Sequence, residues 1–191
     1  VDGSPYMGLF GRFEEGTVKN LTVQGKISVT SSSASKLYVG GVAGYVSGSA
    51  VISDVTADMQ IDAYLTSTAT TDFVYAGGIV GYITDSAITG TSASGSIQAS
   101  KAGSYGTSYA GGIAGYHDGD ISDCANRADI SVGFKTSGES EMSYPNSASP
   151  DTAYVGGLCG NGGGSSSHVY NNYNEGNLSV VNNSALNGRE D

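Results

Sequence analysis

The sequence predicts an all-β fold, a parallel β-helix or β-solenoid of five stacked repeats. Three observations carry that expectation. A Gly-rich string recurs five times along the 191 residues, and a second string with strand-like alternation follows each copy. No window shows the 3.6-residue periodicity of a helix.

The first string reads MGLFG at 7–11, YVGGVAGY at 38–45, YAGGIVGY at 75–82, YAGGIAGY at 109–116 and YVGGLCGN at 154–161. Its last glycines, Gly11, Gly44, Gly81, Gly115 and Gly160, are separated by 33, 37, 34 and 45 residues, so the copies are spaced by insertions. The second string reads VKNLTVQGKISV at 18–29, ISDVTADMQIDA at 52–63, ITGTSASGSIQA at 88–99, ISDCANRADISV at 121–132 and VYNNYNEGNLSV at 169–180, and aligns without a gap. Apolar residues open it (Val18, Ile52, Ile88, Ile121, Val169) and return nine positions later (Ile27, Ile61, Ile97, Ile130, Leu178). The second set sits in alternating runs such as Lys26-Ile27-Ser28-Val29, the period of a strand. Each unit therefore supplies three short strands and is too small to bury its apolar face alone. Stacking places equivalent Ile and Val residues of successive coils in register. The expected organisation is one repeat domain over 1–191, with coils at about 7–29, 38–63, 75–99, 109–132 and 154–180. Seven tyrosines recur around the Gly string: Tyr38, Tyr75, Tyr109, Tyr154, Tyr45, Tyr82 and Tyr116. They are read as structural, each ring covering a bare glycine backbone.

Composition agrees with a thin core. Leu, Ile, Val and Phe together number 37, low enough to raise disorder, but 13 Tyr and only 14% charged residues oppose it. A net charge of −10 repels phosphate backbones and anionic lipid, which excludes nucleic acid as a partner. No apolar stretch approaches the roughly 18–20 residues that span a bilayer as a helix, so no membrane insertion is expected. The chain opens Val1-Asp2-Gly3-Ser4 without an initiator Met or signal peptide, and the expectation is that an upstream segment has been removed.

These strings resemble the GLUG motif, a repeat of secreted and surface proteins of bacteria, including IgA-specific metallopeptidases. Gly8-Leu9-Phe10-Gly11 and Gly157-Leu158-Cys159-Gly160 fit its Gly-Leu-any-Gly core, and Val42, Ile79 and Ile113 replace the Leu elsewhere. The resemblance implies an extracellular location at the bacterial cell surface. The HExxH zinc signature of those peptidases is absent, so their catalysis does not carry over.

Candidate sites are few. Asp118, Asp120 and Asp123 place three carboxylates within six residues, a Ca²⁺ candidate weighed against an acidic turn followed by the repeat's usual Asn/Asp position (Asn20, Asp54, Asp123, Asn171). His117 and His168 lack clustered ligands, so no metal and no cofactor is expected. Cys124 and Cys159 fall where sister repeats carry apolar or small residues and read as buried, inert thiols. Insertions at 30–37, 64–74, 100–108 and 133–153 all leave the coil at one corner, where a solenoid commonly builds its binding surface. The non-repeat aromatics Tyr64, Phe73, Tyr105, Phe134 and Tyr144, with Glu139 and Glu141, gather there. The leading expectation is a module that binds glycan or host or matrix protein, or that serves as a stalk stacked end to end or joined to neighbouring domains. The alternative is a carbohydrate-active enzyme, a polysaccharide lyase or hydrolase on a β-helix, although Asp54, Asp58 and Asp62 are spread through the second coil and basic residues number only 8.

Overall fold

The computed structural model describes residues 6–67, 71–101, 106–134, 152–164 and 166–180, with only the backbone of Phe134. The first coil contributes β1 (Tyr6–Met7), β2 (Phe10–Glu14) and β3 (Thr17–Ser31). The second contributes β4 (Lys36–Gly40), β5 (Ala43–Ser47) and β6 (Val51–Leu65), and the third β7 (Phe73–Gly77), β8 (Val80–Thr89) and β9 (Ser92–Lys101). In the fourth follow β10 (Thr107–Gly111), β11 (Ala114–Ser122), β12 (Ala125–Asn126) and β13 (Asp129–Phe134). The last holds β14 (Thr152–Gly156), β15 (Cys159–Gly162), β16 (Val169–Tyr170), β17 (Tyr173–Asn174) and β18 (Leu178–Val180).

Strands of successive coils pair in parallel. The first sheet runs β1-β4-β7-β10-β14 and holds Tyr6, Tyr38, Tyr75, Tyr109 and Tyr154 in one register row. A second face joins β2, β5, β8, β11 and β15. A third joins β3, β6 and β9 to β12 and β13, then to β17 and β18. The expected parallel solenoid is the fold observed.

The two apolar positions of the second string form the core rows. Ile52, Ile88 and Ile121 align and are fully buried, as are Ile61, Ile97 and Ile130 one face on. Each buried Ile contributes roughly 1.5–3 kcal/mol relative to an exposed one. Parallel in-register stacking repeats that gain at every coil, which offsets the shortage of large apolar side chains in the sequence.

The glycines of the first string have ordinary backbone angles, so conformational freedom does not explain them. Space does. A Cβ on Gly77 would overlap the Val80 carbonyl oxygen and lie 2.8 Å from both the Gly115 nitrogen and the Ile113 oxygen. On Gly81 it would lie 2.6 Å from the Val39 nitrogen, because the second face folds tightly against the first there. The other corner is different. Asn20, Asp54, Asp123 and Asn171 adopt φ of 53°, 54°, 55° and 54°, and Gly90 takes that place in the third coil at 61°. Asn, Asp and Gly tolerate the left-handed region best, so the repeat's Asn/Asp position is a backbone corner.

Several expectations change in detail. The second and third strands of coils 1 and 2 merge into the 15-residue β3 and β6, which turn the corner without a break. Asp118 and Asp120 lie within β11 at a bulge, not in a free turn. Strands also reach into the expected insertions: Tyr64 belongs to β6 and Phe73 opens β7.

Candidate functional site

Two features set side chains apart from the main apolar core, one polar and outward, the other a cluster of half-buried and buried tyrosines. The first lies on the outward face of the third sheet. Along each strand the residues alternate: Ile61, Ala63 and Leu65 point into the core, so Gln60, Asp62 and Tyr64 point out. Parallel register repeats that alternation in every coil. One outward row holds Lys26, Gln60, Ser96 and Asp129, and the next holds Ser28, Asp62, Gln98, Ser131 and Ser179. Asn177 closes the first row, donating to Asp129 Oδ1 from its backbone nitrogen at 3.1 Å and from Nδ2 at 2.8 Å. Apart from Ser28, these residues line a groove of 470 Å³ that crosses all five coils. Tyr64 stands two residues beyond Asp62 on the same face, opposite Thr30 and Ser100. Amides, hydroxyls and two carboxylates offer donors and acceptors in a regular array, with Lys26 the cation among the lining residues.

The second surface is aromatic. Tyr6, Tyr38, Tyr75, Tyr109 and Tyr154 stack in one column with ring centroids 5.1, 5.1, 5.0 and 5.0 Å apart. Tyr45, Tyr82 and Tyr116 form another at 5.3 and 4.8 Å, and the columns meet edge to face, as at Tyr75–Tyr82 (89°). The rings cover the cleft where the second face folds back on the first, and they stack on one another as well as shielding glycine. Burial, reinforced by neighbouring phenols, pushes the Tyr38 and Tyr82 hydroxyls up to about 12, and that of Tyr75 higher still. Phe73 joins this cluster, 6.0 Å from Tyr75, with Lys36 Nζ 5.8 Å from its ring centre.

The residues singled out by sequence therefore part company. Tyr64 borders the polar groove, Phe73 belongs to the aromatic cleft, and the Phe134 backbone pairs with Lys101 at the end of β13. Tyr105, Glu139, Glu141 and Tyr144 lie outside the described residues. Of the three acidic candidates, Asp123 forms the left-handed corner and Asp120 accepts from the His168 backbone at 2.9 Å. Asp118 and Asp120 both line a 380 Å³ recess with Asp85 and Ser86, apart from the polar groove. Among the described residues no three of His, Cys, Asp and Glu gather as a metal-binding group. Cys124 is buried, and its thiol is pushed up by burial. Cys159, against the expectation, is only half-buried; desolvation still lifts its thiol to about 12, so both stay protonated at neutral pH. Sequence reasoning did not single out Gln60, Ser96, Gln98, Asp129 and Ser131, and weighed Asp62 only as one of three carboxylates spread through the second coil. The signal was present in the polar half of each alternating run, which marks an outward row whenever five such runs align.

Comparison with known proteins finds the GLUG motif at residues 37–62 and 106–131. Each match runs from the first strand of a coil into its last, in coils 2 and 4. No curated protein and no solved structure matches the chain. The tandem strings, the stacked parallel coils and these two matches agree: the chain is a repeat protein that carries the GLUG motif in its second and fourth coils.

Proposed function

We propose that the chain is a binding module of the bacterial cell surface, whose ligand is a neutral glycan held along the outward face of the third sheet. The polar groove carries this reading. Its side chains can exchange hydrogen bonds with successive hydroxyls, while Tyr64 offers a ring face for a sugar. Two carboxylates against one lysine, on a chain of net charge −10, disfavour an anionic polysaccharide. The same array argues for binding over hydrolysis. Asp62 and Asp129 stand two strands and two residues apart, about 12 Å between Cα atoms, too far for the roughly 5–5.5 Å carboxyl pair of a retaining glycosidase, and Asn177 already engages Asp129.

The test is a glycan array probed with the full chain, followed by titration of the best hit. Gln98→Ala and Tyr64→Ala should each weaken binding about tenfold or more, and the melting temperature should move by less than about 2 °C. Binding that survives both changes but is lost on deletion of 136–150 would move the site to that insertion. An array without hits would leave the stalk as the better reading, which the long in-register stack independently favours. Release of unsaturated sugar from a polysaccharide would establish the lyase.

A further inference from the structure

The last two coils replace an apolar core position with asparagine. In register, Val23, Ala57, Ala93, Asn126 and Asn174 occupy one inward row beneath the Gly-Gly turn. The Asn126 side chain is fully buried against Gly112, and Asn174 takes the same place against Gly157. Asn126 Oδ1 accepts from the Ala128 backbone nitrogen at 3.0 Å, and Nδ2 donates to the Ala128 oxygen at 3.1 Å, which breaks the strand between β12 and β13. The other Nδ2 hydrogen runs along the solenoid axis to Asn174 Oδ1 at 2.7 Å.

Asn174 repeats the pattern one coil on, with Nδ2 donating to the Gly176 oxygen at 2.9 Å. Its second amide hydrogen then occupies the axial position that Asn126 uses toward its neighbour. Among the described residues nothing lies beyond it, and Asn174 is exposed. The apolar rows are cut off at the same level. Leu178 is 46% exposed where its register partner Ile130 is 1%, and Val169 is 44% exposed where Ile121 is 0%. Leu158, Cys159, Val169, Asn174 and Leu178 line an open recess on this face.

We propose that the outer face of the fifth coil is a docking face for one further coil of this repeat, carrying asparagine at the position of Asn126 and Asn174. Such a coil supplies the axial acceptor, the apolar rung over Val169 and Leu178, and a ring or flat side chain over Tyr154. The first coil of a second copy fits less well. It would bring Val23 to the asparagine row and leave the Asn174 amide facing a hydrocarbon.

The test inserts a duplicate of residues 135–180 between Val180 and Val181, so that the whole native chain is retained. A second version changes the duplicated Asn174 to Val. Hydrogen exchange is read at the original Tyr154 and Leu178–Val180 amides. The asparagine version should raise their protection at least about tenfold over the unextended chain, and the valine version should give at least about threefold less. Unchanged protection, or equal protection in the two versions, overturns the proposal. So does an unextended chain in which these amides are already as protected as those of β9, because another segment then covers the face. End-to-end oligomers of the unextended chain, abolished by Leu9→Asp in the first coil, would make a second copy the occupant and overturn it as well.

Discussion

Gly77→Ala tests the steric reading of the Gly string more sharply than any core substitution. The new Cβ would overlap the Val80 oxygen across the turn and stand 2.8 Å from the Gly115 nitrogen and the Ile113 oxygen of the next coil. Ordinary van der Waals contact needs 3.4–4 Å, so the backbone must yield by at least 0.6 Å in two directions at once. All three neighbours are main-chain atoms, where no rotamer change can relieve the clash. Overpacking costs about 1–3 kcal/mol when side chains can adjust; here the expected loss is above about 3 kcal/mol. For a chain of this size that lowers the melting temperature by about 6–12 °C. Gly163→Ala is the control, because its Cβ meets only the Tyr116 hydroxyl at 3.5 Å, and it should cost under about 0.5 kcal/mol. Urea titration followed by circular dichroism measures both. Losses within about 0.5 kcal/mol of each other would refute the claim that close approach, and not chance composition, places the glycines.

Ile97→Asp puts a charge on a central core row and should unfold the stack, at a cost of several kcal/mol, whereas Ser32→Asp on the exposed β3–β4 connection should cost under about 0.5 kcal/mol. Equal melting losses would show the core rows to be misassigned. Alkali should also unfold the protein in a defined window. The Tyr38 and Tyr82 hydroxyls titrate near 12 when folded and near 10 when unfolded, so the unfolded chain binds fewer protons between those values. Stability is then fully present below about pH 10 and falls as pH rises toward 12; a phenolate absorbance titration that is complete by pH 10.5 with the fold intact would contradict this.

Much of this fold is legible in the sequence because the repeat is nearly gapless where the strands are. The core rows follow from aligning the second string alone. Tyr6 was harder to see: the first coil is one residue shorter between Met7 and Phe10, so matching Gly11 to Gly44 hides its register with Tyr38. Asn126 and Asn174 carry no signal of their own in a single sequence, and only the paired register turns them into an internal row. The groove was obscured for a related reason. Serine, glutamine and aspartate on an outward face serve both solubility and recognition, and alternation alone does not separate the two. The aromatic candidates part because Tyr64 lies near the end of β6 while Phe73 opens β7 in the first sheet, so one insertion joins two different sheets.

The parallel register also determines how the molecule carries load. Hydrogen bonds between coils point along the solenoid axis, so a pull between the first coil and the fifth falls on one interface at a time instead of shearing a whole sheet. Coils must then detach singly from an end, like pages from a pad. Freeing the chain from Tyr38 to Tyr75 adds about 120 Å of slack before the next interface is loaded. A tether built this way lengthens in discrete steps, set by the 33 to 45 residues between successive coils, and blunts sudden force without losing its remaining coils.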